Sequence, residues 1–212
     1  MITRLGLDPA INSPGVAVAR GPSLEKLELV GAWNVKIPAA FKRLSEGDRI
    51  QAVAERIAWE LGSRPYNSVG ECCGLLEDGD EVVYERPQIY GPGRGKGDPN
   101  ELIKVAEVAA ATIAHLNRKA KVIRVTPREW TGGTSKNVDA PFDSSRWRRL
   151  AMILTAEEQA RVPEQHDAID GVGLSLHETP RGLSTPRRVY PGASPPQGLP
   201  AGVGPGPRRS RT

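Results

Sequence analysis

The stretch Val82-Val83-Tyr84-Glu85-Arg86-Pro87 places β-branched and aromatic residues before an acid and ends with a proline. This pattern predicts a short buried strand, because such side chains pack well on a pleated sheet and proline cannot continue the hydrogen-bond ladder. The last side chain of the strand, Glu85, is then expected to emerge at the sheet edge. Glu85 is therefore the first candidate site residue.

Three further strands are predicted upstream, at residues 2–7, about 15–20 and about 27–36. The segments between them are short and rich in Asn, Ser, Pro and Gly, which favour tight turns. Consecutive strands joined by short turns pair most simply as an antiparallel meander. The first half of the chain is thus expected to form three antiparallel strands.

Helices and strands alternate after this meander. Apolar residues at helical spacing predict helices at about 48–61, 100–117, 144–161 and 166–177, and a fifth strand is predicted at 121–125. A helix between the strand ending at Glu85 and the fifth strand allows a right-handed crossover between parallel strands. The predicted fold class is α/β, with a mixed five-stranded sheet of three antiparallel strands followed by two parallel ones, flanked by helices.

Three other acids have positions comparable to that of Glu85. Asp8 closes the first strand, and Asp167 and Asp170, spaced i and i+3, lie on one side of a turn that opens the last helix. Carboxylate oxygens suit a hard cation such as Mg²⁺, and a cluster of acids without cations would repel itself. We expect the four carboxylates to converge on metal ions, although each acid alone also fits a turn, an ion pair with a base such as Arg86, or a helix cap.

The basic residues are concentrated near the C-terminus. The formal net charge is +4, and the segment 180–212 contains six arginines and no acid, together with eight prolines and six glycines. This composition cannot form a packed core, whereas a cationic arm attracts polyanions such as nucleic acid. We predict one folded domain at 1–178 and a disordered Pro/Gly/Arg-rich basic tail at 179–212. A purely solubilising extension is the alternative.

Neither a membrane-spanning apolar run nor a signal-peptide pattern is evident. We therefore expect a cytoplasmic protein without a membrane partner.

Short motifs in the chain resemble those of a known family. Leu5-Gly6-Leu7-Asp8-Pro9-Ala10 with Gly15, the Glu85 stretch followed by an alanine-rich helix, and His166-Asp167-Ala168-Ile169-Asp170-Gly171-Val172 are similar, in order and spacing, to the motifs of the RuvC Holliday-junction resolvases. Thr126-Pro127-Arg128-Glu129-Trp130 with Gly132 and Lys136 resembles the segment that precedes a DNA-contacting basic residue in this family. The resemblance covers about residues 2–178.

The resemblance implies an RNase H-like fold, a homodimer and magnesium-dependent nicking of four-way DNA junctions, with roles in recombination and repair. Asp8, Glu85, Asp167 and Asp170 would hold two Mg²⁺ ions, with Mn²⁺ as a substitute, and no small-molecule cofactor is expected. Ala10 stands where the family usually has glycine, and the loop at 91–99 and the tail are longer than usual. These departures are more similar to divergent viral members.

A branched-DNA substrate requires phosphate contacts from basic residues. The predicted contacts are Arg94, Lys96, Arg128 and Lys136, and Lys136 and Arg128 are also predicted to stabilise or position the scissile phosphate. Each of these residues also fits a solvated surface charge. His166 could replace a carboxylate ligand or act as a base, although its adjacency to Asp167 directs it elsewhere on a helix.

Two other classes of protein share parts of this pattern. A nonenzymatic branched-DNA-binding protein on the same scaffold is possible, because fold does not fix function. An actin-like ATPase or kinase fragment also begins with an acid after its first strand, but it would need a second domain to close on ATP. Metal-dependent nicking distinguishes the nuclease from the former, and ATP binding distinguishes it from the latter.

Overall fold

The computed structural model describes residues 1–63, 76–87, 98–116, 120–131 and 139–183. The described strands, in chain order, are β1 (Ile2–Asp8), β2 (Gly15–Gly21), β3 (Glu28–Asn34), β4 (Glu81–Glu85) and β5 (Lys121–Val125). The described α-helices are α1 (Glu46–Ser63), α2 (Pro99–His115), α3 (Pro127–Thr131), α4 (Ser145–Ala151), α5 (Ala156–Gln159) and α6 (His166–Ser175).

The five strands form one mixed sheet in the order β3-β2-β1-β4-β5. The β1–β2 and β2–β3 pairs are antiparallel, whereas the β1–β4 and β4–β5 pairs are parallel. The predicted α/β class, with three antiparallel strands followed by two parallel ones, is confirmed. Because β1 and β4 run in the same direction, their carboxyl ends, and the acids that close them, lie at the same edge of the sheet.

The sheet separates two apolar cores because successive side chains of a strand point to opposite faces. Val82 packs in the core that includes α1 and α2 residues, whereas the next residue, Val83, packs in the core that includes α6 residues. On β1, Leu5 and Leu7 belong to the α1 and α2 side. Gly6, between them, faces α6. The central strands are therefore buried on both faces.

Helix α6 lies directly on β1 and β2 because glycines remove the side chains that would separate them. A Cβ added to Gly6 would lie 2.0 Å from the carbonyl oxygen of Gly171, and one added to Gly15 would lie 1.8 Å from the carbonyl oxygen of Asp167. These neighbours are backbone atoms of the helix, which cannot rotate away. The position of α6 over the sheet is thus set by residues that lack a side chain.

The region predicted as one helix at 144–161 contains two, α4 and α5. The predicted stripe of Trp147, Leu150 and Leu154 is buried, but the helix is interrupted after Ala151. Thr155 begins α5 with a capping box, in which its side chain accepts a hydrogen bond from the Glu158 backbone N–H and the Glu158 carboxylate accepts one from the Thr155 N–H. The new cap favours a new helix over continuation of the old one.

The fold continues beyond the predicted domain end at residue 178. Leu183 is fully buried in the core, and Thr179 is buried as well. The guanidinium of Arg181 donates hydrogen bonds to the carbonyl oxygens of Leu27 and Ile153, at 2.7 and 2.8 Å, and forms an ion pair with Glu158. Residues 179–183 therefore belong to the folded domain rather than to the predicted tail, and 184–212 lie outside the described residues.

The same ion pair affects the acidity of Glu158. Burial alone would raise the pKa of its carboxyl group, but Arg181 and the backbone N–H groups of Leu29 and Thr155 outweigh burial and lower the pKa below its ordinary value of 4.5. The carboxylate form of Glu158 is thus favoured by folding.

Within the parts of the chain that the structure describes, no helix has the length and apolar character needed to cross a membrane.

Candidate active site

Asp8 and Glu85 lie side by side at the carboxyl edge of the sheet. In the parallel β1–β4 pair, Leu7 is in register with Tyr84, so each strand ends one residue later in its acid. Side chains alternate along a strand, so Asp8 shares the face of Gly6 and Glu85 shares the face of Val83. Both acids therefore lie on the face that α6 covers.

Asp167 is brought to the same edge by the first turn of α6. Its backbone carbonyl rests against Gly15, and Gly15 pairs with Asp8 across the β1–β2 ladder. The Asp167 carboxylate accepts a hydrogen bond of 3.1 Å from the side-chain amide of Asn34, which also bonds the Ser13 hydroxyl at 2.6 Å. Asp167 is therefore held near the end of β1 by a polar group from β3.

Asp170, one turn further along α6, has a different environment. Its side chain is 2% exposed and forms an ion pair with Arg146 of α4. The Arg146 guanidinium lies over the Trp130 ring, 4.6 Å from its centroid, and the Trp130 indole N–H donates a 2.7 Å hydrogen bond to Glu85. A continuous chain of contacts thus joins two of the predicted site acids, Glu85 and Asp170, through α3 and α4.

The donor set of this edge suits a hard divalent cation. Asp8, Glu85 and Asp167 offer carboxylate oxygens, are half-buried, and come from elements packed against one another. As the side chains stand, no group of three or more His, Cys, Asp or Glu residues among the described part of the chain converges closely enough to hold a metal ion. To bind a metal ion as well, Asp170 would have to share its carboxylate between the ion and Arg146. The convergence of all four acids therefore stays a prediction.

Exposed arginines surround the same end of the sheet. Arg128 is exposed in the first turn of α3, which follows the end of β5. Arg86 and Arg124 are also exposed, but they line a pocket with Tyr84 and the α2 residue Ile103, on the face of the sheet opposite the acids. The Arg86 backbone N–H donates to the Val125 carbonyl at 2.7 Å, which holds the chain leaving Glu85 against β5.

Three predicted DNA contacts, Arg94, Lys96 and Lys136, lie outside the described residues. The prediction for each of them is unchanged.

The sequence did not reveal that Arg146, Trp130 and Asn34 contact the predicted acids. Arg146 lies in the basic run Arg146-Trp147-Arg148-Arg149, and a run of charges is usually solvated, yet its relative exposure is 6%. Only Trp130 could have been linked to the site from the sequence, because it lies in the segment that resembles the basic-residue motif of the resolvases. The contact of Asn34 with Asp167 spans 133 positions and has no local signature.

Solved structures similar to this one include Holliday junction resolvases. Thermus thermophilus RuvC in complex with a Holliday junction substrate is 14% identical, with 83% of this chain and 91% of that chain covered and a TM-score of 0.46. The fowlpox virus resolvase in complex with Holliday junction DNA is also 14% identical, with 82% and 95% covered and a TM-score of 0.44. No protein-family model and no curated protein sequence matches the chain.

Proposed function

We propose that this protein is a divalent-metal-dependent endonuclease that cuts branched DNA, with four-way junctions as its main substrate. The observation that carries the proposal is the placement of Asp8 and Glu85 at adjacent parallel strand ends, on the face where α6 brings Asp167. The resemblance of the surrounding motifs to those of the RuvC resolvases supports the choice of substrate.

Asp8, Glu85 and Asp167 would hold the cations, with Mg²⁺ as the expected ion and Mn²⁺ as a substitute. When bound, such ions lower the pKa of water and stabilise charge on phosphate oxygens during phosphodiester hydrolysis. The contribution of the protein is to orient the ligands: Asn34 donates to Asp167, and Trp130 donates to Glu85. Each of these donors restricts the rotation of the carboxylate that it contacts.

The DNA would approach the edge of the sheet that carries the acids. Arg128 is exposed on α3, the helix whose Trp130 contacts Glu85, and Arg86 and Arg124 are exposed at the same end of the sheet but on its α2 face. These arginines would supply positive charge for phosphate contacts that do not depend on base sequence. Arg94, Lys96 and Lys136 are proposed to add to this surface. Because a four-way junction has two-fold symmetry and is cut in pairs, a homodimer with two such sites fits the substrate.

The test is nicking of a synthetic four-way junction, beside a linear duplex of the same sequence, with and without Mg²⁺. The wild type should cut only the junction, and Glu85→Gln should bind the junction without cutting it. Glu28→Gln provides the matched control, because Glu28 is an exposed acid on β3, away from the acidic edge. Equal nicking by wild type and Glu85→Gln would contradict the proposed site.

A nonenzymatic branched-DNA-binding protein is the second candidate. The observation in its favour is the ion pair between Arg146 and Asp170, which engages one of the four acids with a cation from the protein itself. This candidate predicts junction binding that is insensitive to Mg²⁺ and absence of cleavage with either Mg²⁺ or Mn²⁺.

A further inference from the structure

Arg146 is a charged residue in the interior of the domain. It lies in the first turn of α4, where the Ser144 hydroxyl accepts a 3.1 Å hydrogen bond from the Trp147 N–H and so fixes the start of the helix. Its side chain is 7% exposed, and its described partners are the Asp170 carboxylate and the face of Trp130. A buried guanidinium is costly unless it is paired, so this location requires an explanation.

Stability alone explains the pair poorly. Replacing a buried ion pair by apolar side chains of similar volume is often neutral or stabilising, because both ions must be taken out of water. The surroundings would accommodate such a replacement, because Trp147, Leu150 and Trp130 already belong to one apolar cluster here. What an apolar residue would not provide is a defined orientation for the Asp170 carboxylate.

Trp130 extends the effect of Arg146 to a second acid. Its indole N–H can only donate, and it donates to Glu85. The ring is fully buried, and a Cβ added to Gly173 of α6 would lie 2.4 Å from it, so the ring is in tight contact with the helix that carries Asp170. The ring thus lies between the Arg146 guanidinium and Glu85 and contacts both.

We propose that Arg146 is a positioning residue of the site, which orients Asp170 directly and Glu85 through Trp130. This inference rests on the proposed function, because the orientation of Glu85, and of Asp170 beside the site, matters only where the acids hold a metal ion. Because Arg146 is buried, its role in the site is to act through the two carboxylates. Its planar guanidinium is suited to the role, since one face stacks on an aromatic ring while an edge N–H binds a carboxylate.

The test uses the full-length variants Arg146→Met and Arg146→Lys, with Arg148→Met as the control. Arg148 lies on the same helix and is exposed, so the control removes the same charge without touching Asp170. Three quantities are measured: Mn²⁺ affinity by titration of the free ion, junction affinity without metal, and the nicking rate as a function of Mn²⁺ concentration.

Arg146→Met should weaken Mn²⁺ binding by roughly 10–100-fold, the usual effect of removing a group that orients a metal ligand. Arg146→Lys should give a smaller loss, because lysine keeps the charge but not the planar stacking on Trp130. Junction affinity should remain at the wild-type level in both variants, and excess Mn²⁺ should partly restore nicking. A purely structural role would instead lower all three quantities together.

Unchanged Mn²⁺ affinity in the folded variants would overturn the proposal. Tighter Mn²⁺ binding would overturn it as well, by showing that Arg146 competes with the cation. If Arg146→Met does not fold, Arg146→Lys decides, because it leaves Asp170 with a counter-ion. A wild type that neither binds Mn²⁺ nor nicks the junction refutes both the proposed function and this inference, whereas a functional wild type with unaffected variants refutes the inference alone.

Discussion

Arg181 joins the C-terminal end of the described fold to two other segments, and its removal should destabilise the domain. Its guanidinium donates to the carbonyl oxygens of Leu27 and Ile153 and pairs with Glu158, whose side chain is 5% exposed. Breaking a buried ion pair by removing one partner costs about 3–5 kcal/mol. Arg181 is 23% exposed, so water replaces part of the lost interaction, and we expect about 2–3 kcal/mol for Arg181→Met.

The assay is thermal unfolding of the full-length protein. Because 1 kcal/mol shifts the Tm of a domain of this size by roughly 2–4 °C, Arg181→Met should melt about 4–12 °C below the wild type. Arg43→Met removes a matching charge from an exposed position and should melt with the wild type. Equal melting temperatures for the two variants would refute the claim that residues 179–183 are part of the fold.

The destabilisation should also depend on pH. The pKa of Glu158 is lower in the folded protein than its ordinary value of 4.5, so folding favours the ionised carboxylate. The stabilisation from the ion pair is therefore fully present above pH 4.5 and is lost as the pH falls through the folded-state pKa. The difference in unfolding free energy between wild type and Arg181→Met should shrink in acid. A difference that stays constant would show that the Glu158 charge is not involved.

Three other predictions follow from the structure. Gly15→Ala should lose about 1–3 kcal/mol of stability and most nicking activity, because the new Cβ meets α6 backbone, whereas Gly31→Ala, with its nearest atom at 3.9 Å, should fold normally in the same thermal melts. Arg4→Met should be less stable than the double variant Arg4→Met/Glu81→Leu in denaturant titrations, since the single variant removes the buried partner of the Glu81 carboxylate and leaves it with the exposed Lys121. Mg²⁺ or Mn²⁺ at about 100 times its Kd should stabilise the wild type by roughly 2.7 kcal/mol and should not stabilise Glu85→Gln, as read from Tm.

The sheet could be predicted from the sequence because its signals are local. Apolar and β-branched runs bounded by turn residues marked the strands, and the short turns between the first three favoured antiparallel pairing. The region 144–161 and the C-terminal end of the described fold were less well predicted. Thr155 and Glu158 form a capping box that starts a new helix within 144–161. Arg181 and Leu183 contact segments that are remote in sequence, so their place in the fold has no local signal.

The backbone positions of the site acids were also predictable, since strand ends and a first helical turn can be read from the sequence. The environments of the acids were not, because they depend on contacts between distant segments. Arg146 is buried because Asp170 of α6 pairs with it, and the spacing of apolar residues in α4 does not indicate this burial. Likewise, nothing near Asn34 in the sequence indicates that it donates to Asp167.

The most direct test of the account is a crystal structure with Mn²⁺, in which anomalous scattering locates the ion. We predict Mn²⁺ bound by Asp8, Glu85 and Asp167 at the carboxyl edge of the sheet, with Asp170 still in contact with Arg146. Crystals that contain Mn²⁺ at saturating concentration and show no anomalous peak beside Asp8 and Glu85 would contradict the metal-dependent nuclease site.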